Sequence, residues 1–170
     1  MTRDGSGRAI SGLRKLVGGL AIFNKYLIAT LLAAMTIVVV VSITMRYVFN
    51  SAPSWSEEVT KYLFIYLIFL AAAQGVRYRV HVRIDTLERA LKGTALTVVQ
   101  TVSRLLLFVL LLAIAYYGFE IVGSTMRQAS PALGIPMGLV YLALPVGAIL
   151  SMVFMAFPDT SEKTTEELSV

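Results

Sequence analysis

Three small groups of residues in this chain could do chemistry. Glu57 and Glu58 are adjacent carboxylates, the residue type that passes a proton or binds a cation. Neighbours on a helix point ~100° apart, so the two do not easily share one proton or ligand. Lys61 lies four residues beyond Glu57, and a helix start with a surface ion pair is the simpler reading. His81 and Asp85 are also four apart and could face one another on a helix. A lone histidine is a poor metal site, so interfacial hydrogen bonding or a partner contact is preferred. Arg104 stands ~22 Å along a helix from Phe119, inside one side of a membrane core or at its edge. It either snorkels or pairs with Asp85 or Glu88.

Nothing resembles a nucleophile–base pair, a phosphate-cradling glycine loop or a metal cluster. With no cysteine and one histidine, disulfides and thiolate or multi-histidine metal sites are excluded. No catalytic, metal, cofactor or substrate-binding residue is expected in this chain, and it is not expected to be an enzyme.

The elements that hold these residues are unusually apolar. Of 170 residues, 57% are hydrophobic and 15% charged, against ~45–50% and ~25% in soluble domains. The charges gather between long apolar runs, which argues for lipid as solvent. The net charge of +5 could suit nucleic acid, but the basic residues flank apolar spans and can meet anionic headgroups instead. The fold class expected is an all-α integral membrane protein with about four transmembrane helices and a short interfacial helix. Four spans of ~20 residues leave no room for a catalytic domain.

Residues 1–22 form a basic, glycine-rich amino-terminal segment that could lie on the membrane surface; residues 23–158 form the membrane domain, and 159–170 a flexible acidic tail. A signal peptide competes at the start, but the apolar run after Lys25 outlasts a ~7–15-residue apolar signal region. Span one is about 26–45, flanked by Phe23 and Tyr26 and by Tyr47 and Phe49, at depths aromatics favour. Span two is about 59–76. Ser54-Trp55-Ser56-Glu57 before it fits a capping box, with Ser54 as N-cap. Residues 77–93 form a basic connector whose second half suits an interfacial helix. Span three is about 95–119 and span four about 136–157. Pro131 and Pro136 precede or open span four, and Pro145 inside it predicts a kink.

Ala143, Gly147 and Ser151 recur every four residues on span four, a spacing that suits close helix packing, internal or with a partner. Ala71 and Gly75 repeat it on span two, and Ala29 and Ala33 on span one. Five basic residues precede span one, counting Lys25, and five occupy the second connector. The first connector has Arg46 and Lys61, and the third has Arg127. The positive-inside rule therefore expects both termini in the cytoplasm.

Arg46-Tyr47-Val48-Phe49-Asn50, then Pro53, then Trp55-Ser56-Glu57-Glu58 resembles the small membrane subunit of tripartite ATP-independent periplasmic (TRAP) transporters, the DctQ-like family. His81-Val82-Arg83-Ile84-Asp85, Pro131–Pro136 and Tyr141–Gly147 fit the same pattern, which runs from about Asn24 to Phe157. The resemblance implies a multi-pass protein of the bacterial inner membrane. It implies a non-catalytic scaffold for a large elevator subunit, in sodium-coupled uptake of an organic acid. A periplasmic binding protein would deliver the substrate, and membrane lipids surround the subunit. Arg46, Asn50, Pro53, Trp55, Glu57, Glu58, His81, Asp85, Arg104, Pro136, Pro145 and Gly147 are then candidates for structural or interface roles. Trp55 would anchor a periplasmic turn at headgroup level. The alternative is a self-assembling small exporter or channel, for which Arg104 is the best pore charge.

Overall fold

The computed structural model describes residues 4–51, 53–78 and 94–158. Its helices are α1 (Asp4–Val48), α2 (Ser54–Arg77), α3 (Thr94–Thr125), α4 (Met137–Tyr141) and α5 (Ala143–Ala156). Four stretches are long and apolar enough to cross a membrane: Gly12–Val48, Ser54–Arg77, Ala95–Thr125 and Met137–Ala156. The all-helical, four-span expectation therefore agrees with the structure. The basic connector 77–93, whose second half is expected to form the interfacial helix, falls almost wholly outside the described residues, His81, Asp85 and Glu88 included.

The first three helices are longer than the spans read from their apolar runs. At 45 residues α1 rises ~68 Å, well beyond a ~30 Å hydrocarbon core. No break marks residue 22, because the basic stretch before Lys25 continues the same helix. Nor is that stretch merely a surface tail. Val17 and Ala21 are buried with Ala73 of α2 and Phe154 of α5, and Leu150, Val153 and Phe157 pack around them.

The helices lie side by side in the order α1, α2, α4/α5, α3. α2 packs on α1 along one side and on α5 along the other, while α3 packs on α4 and α5. Much of α1 and α3 presents large apolar side chains outward, Ile37, Val40, Leu105, Leu106 and Val109 among them. In water this surface would be a liability; in a bilayer it is the face that lipid or another apolar helix covers.

Glycine sets the inner contacts. A Cβ on Gly147 would lie 2.6 Å from Phe69 Cβ on α2. One on Gly118 would lie 2.9 Å from Pro145 Cδ, joining α3 to α5. One on Gly138 would meet the Val122 carbonyl oxygen at 2.8 Å, joining α3 to α4. Without a hydrophobic driving force between helices in lipid, such backbone approach is the main source of packing energy. The Ala143–Gly147–Ser151 stripe is buried, whereas Ala29, Ala33 and Ala71 are exposed.

The kink expected at Pro145 appears one turn earlier, as the division between α4 and α5 at Leu142. Proline has no N–H to donate to the Tyr141 carbonyl, and its ring crowds that oxygen. The ladder closes again on either side, from Leu142 N–H to Gly138 O at 3.1 Å and from Val146 N–H to Leu142 O at 3.1 Å.

Candidate functional site

The α1–α2 turn gathers most of the singled-out residues. α1 ends in a left-handed residue, Asn50, with φ 48°, a conformation that asparagine tolerates better than most. Beyond it the Ser51 N–H returns to the Met45 carbonyl at 3.1 Å. Pro53 occupies the N-cap position of α2 in extended conformation. The capping box does not form. Ser54 is already inside the helix, so it is one residue too late to cap, and α2 has no side-chain cap bond. Ser56 turns back instead and donates its hydroxyl to the Pro53 carbonyl at 2.8 Å. Its Oγ lies 2.9 Å from Ser42 Oγ on α1.

The two carboxylates point to different elements. Glu57 Oε1 lies 3.5 Å from Arg46 Nη2 across the turn, so Glu57 pairs between helices rather than with Lys61 along its own. Both groups are exposed, and such a pair contributes at most about 1 kcal/mol. Glu58 instead reaches the segment between α3 and α4. Its Oε1 accepts the Ala132 N–H at 2.8 Å and its Oε2 the Leu133 N–H at 3.2 Å. The Tyr62 and Ser130 hydroxyls lie beside the same carboxylate.

The gripped segment is a small hairpin-like loop. Ala129 and Pro136 form an antiparallel bridge. Ser130 N–H donates to Ile135 O at 2.9 Å, and Gly134 N–H to Ser130 O at 3.0 Å. Gly134 has φ 68°, which a residue with a Cβ adopts only at a cost. Pro136 then caps α4, extended and without a side-chain bond. One turn past Glu58, Tyr62 donates to Met137 Sδ at 3.5 Å, and Tyr66 donates to the Leu139 carbonyl at 2.6 Å. One face of α2 therefore stitches itself to the α3–α4 loop and to α4.

A second polar cluster sits at the other end of α2. Asn24 of α1 is 1% exposed. Its Nδ2 donates to the Leu70 carbonyl at 3.1 Å and to Gln74 Oε1 at 3.0 Å. Arg77 Nη1 donates to the Val17 carbonyl at 3.1 Å, and its guanidinium lies 5.5 Å from the Phe154 ring centre. The residue-by-residue reading missed Asn24, Gln74 and Tyr66. The signal was available, since amides inside uncharged helical runs are costly in lipid and seek partners.

The remaining candidates make no polar contact within either cluster among the described residues. Trp55 is 39% exposed at the α1–α2 turn. Arg104 is exposed on α3, while Asp85 and Glu88 fall outside the described residues. The polar groups that meet are spent on joining helices. Pro145 and Gly147 belong to the packing of α5.

Comparison with known proteins agrees with this architecture. Residues 35–158 match the family described as tripartite ATP-independent periplasmic transporters, DctQ component. The chain is 29% identical over 129 residues to a TRAP transporter small permease protein of Haemophilus influenzae, covering 74% of this chain and 78% of that protein. It is 32% identical over 129 residues to the sialic acid TRAP transporter permease protein SiaT of Haemophilus influenzae, covering 76% of this chain but 21% of that permease. It is 33% identical over 64 residues to the C4-dicarboxylate TRAP transporter small permease protein DctQ of Vibrio cholerae, covering 38% and 28% of the two chains. The chain belongs to the DctQ family: it is the small permease subunit of a tripartite transporter, a multi-pass bacterial inner-membrane protein and not an enzyme, whose partners are a large permease and a periplasmic binding protein.

Proposed function

We propose that this subunit is the fixed scaffold of a large elevator-type permease, in sodium-coupled uptake of an organic acid delivered by the binding protein. The observation that carries this reading is the match to SiaT. The same 129-residue stretch makes up 21% of that permease, so most of that longer chain lies outside the matched part. A domain found both alone and within a longer permease suits a part that works joined to the transporting machinery. The packing supports a static role. Glycine-to-backbone contacts between α2 and α5 leave no room for sliding, and Glu58 ties α2 to the α3–α4 loop. The names of the relatives support the substrate class, since C4-dicarboxylates and sialic acid both carry a carboxylate. Both termini lie in the cytoplasm, with the α1–α2 turn and the α3–α4 loop at the periplasmic face. His81, Asp85 and Arg104 then stand on the cytoplasmic side, toward the large subunit or lipid headgroups.

The test is purification of the tagged chain in mild detergent, with mass spectrometry of what accompanies it. A large multispanning permease in constant ratio is expected. A homo-oligomer without such a partner, under conditions that hold other membrane complexes together, would overturn the scaffold and favour a self-assembled exporter or channel.

A further inference from the structure

We propose that the groove between the end of α1 and the start of α2 binds the phosphodiester of an anionic phospholipid, with an acyl chain laid along its floor. The groove encloses about 440 Å³, within the ~300–1,000 Å³ typical of small-ligand sites. It is lined by Arg46, Lys61, Glu57 and Tyr47 toward the connection between the helices, its rim, and by Val39 and Ile43 farther along α1, its floor.

The charges select the ligand. Two cations and one carboxylate leave the rim at net +1, complementary to a phosphodiester of charge −1. The serine and threonine hydroxyls in the groove are already engaged: Ser42 with Ser56, Ser56 with Pro53 O, and Thr60 with Ser56 O. Charge recognition therefore falls to the cations, with the Tyr47 phenol beside them on the rim. Arg46 meets Glu57 through one nitrogen at 3.5 Å, a long contact that leaves most of its donor fork unused. Lys61 engages no carboxylate among the described residues, because Glu57, four residues before it, turns toward Arg46. An anion held between them would meet two positive groups and displace only a weak, exposed ion pair.

The floor selects lipid over free phosphate. Val39 precedes Arg46 by seven residues, so apolar lining continues ~10 Å along α1 from the guanidinium. That is the direction in which an acyl chain leaves its headgroup, and an inorganic anion has nothing to place there. Arg46 and Lys61 are moreover the two basic residues of the first connector, and both line this groove.

The test is native mass spectrometry of the full chain, purified with whatever partners remain bound and stripped of lipid. It is then titrated with phosphatidylglycerol or with phosphatidylcholine of the same acyl chains. Phosphatidylglycerol is expected to be retained preferentially, and Arg46→Gln and Lys61→Gln each to weaken it about fivefold, the effect of one charge near a lipid surface. Lys61→Gln removes an exposed, unpaired group and leaves the fold intact. Ile43→Trp should block binding by filling the floor, and Glu57→Gln should strengthen it. Equal retention of the two lipids, unchanged binding in Lys61→Gln and Ile43→Trp, or equal competition by glycerol 1-phosphate would each overturn the assignment. So would a complex that takes up no lipid there because its partner covers the groove.

Discussion

Glu58, near the start of α2, accepts the backbone N–H of Ala132 at 2.8 Å, across 74 residues of chain. The second oxygen takes the next amide, from Leu133. A two-residue grip of this kind fixes the path of a loop rather than the position of a side chain. Charge-assisted bonds to a carboxylate are about twice as strong as neutral ones. Here they hold a segment most of whose residues are exposed, Ser130 excepted. Tyr62 and Tyr66 continue the same line down α2 onto α4.

Glu58→Gln is therefore expected to loosen the loop without unfolding the bundle. The amide keeps one acceptor oxygen but loses the charge and the second acceptor. Hydrogen exchange at Ala132 and Leu133 should accelerate, and Glu58→Ala should accelerate it further. Exchange within α3 should stay unchanged. Protection of those two amides equal to that of the wild type would mean that the loop is held by its internal bonds alone.

The glycine contacts make two different predictions of compensation. Gly147→Ala places a methyl against Phe69 Cβ and within 3.1 Å of its carbonyl oxygen. Overpacking of this sort costs about 1–3 kcal/mol. Phe69→Ala retains both the Cβ and the backbone, so it should not rescue the variant. Gly118→Ala instead meets Pro145 Cδ at 2.9 Å, and Pro145→Ala, which lacks that atom, should restore part of the loss. Gly19→Ala is the control: it meets nothing within 4 Å, and its better helix propensity should leave stability equal or up to ~1 kcal/mol higher. Thermal unfolding in detergent reads all of these.

The four spans were legible because lipid imposes one simple demand, a long uncharged run with its backbone bonds satisfied internally. The break near Pro145 and the buried Ala143–Gly147–Ser151 stripe were legible for equally local reasons. The pairing of the carboxylates was not. Lys61 is the near partner of Glu57 in sequence, but the turn through Asn50 and Pro53 carries Arg46 opposite it. The Ser54 cap failed by one residue, since Pro53 took the place just outside the helix. The Glu58 grip uses backbone amides of Ala132 and Leu133, and no side-chain pattern announces a backbone donor. The length of α1 was hidden too, because the basic stretch before Lys25 reads as surface although Val17 and Ala21 are buried.

Asn24 and Gln74 offer a direct measure of polar bonding within the bundle. Their amides meet at 3.0 Å between α1 and α2. A double-mutant cycle of Asn24→Ala and Gln74→Ala should give a coupling of about 0.6 kcal/mol, with ~1.7 as its upper bound. Each amide makes a second bond, Asn24 to the Leu70 carbonyl at 3.1 Å in a buried site and Gln74 to the Tyr78 hydroxyl at 3.3 Å in a part-buried one, so Asn24→Ala alone should cost more than Gln74→Ala. A coupling near zero would mean that each amide finds another partner when the first is removed.

The absence of cysteine makes the orientation directly measurable. A single introduced thiol is the sole maleimide target within this chain, read after the chain is isolated from the labelled cells. Ser51 is exposed in the α1–α2 turn and Leu133 is 38% exposed in the loop that Glu58 holds. Both stand at the same end of the bundle, because Glu58 joins the two connections. In intact cells, Ser51→Cys and Leu133→Cys should react with a membrane-impermeant maleimide added outside once it crosses the outer membrane. Gly12→Cys, on the opposite end of α1, should react only after the inner membrane is opened. The positive-inside rule gives this sign, since five basic residues precede span one while Arg46 and Lys61 flank the turn. Labelling of Gly12→Cys alone would invert the subunit and place the α1–α2 turn in the cytoplasm, beyond reach of any periplasmic binding protein. Labelling of Ser51→Cys without Leu133→Cys would mean that the loop is covered from outside, and loss of that cover on removing the large permease would identify what covers it.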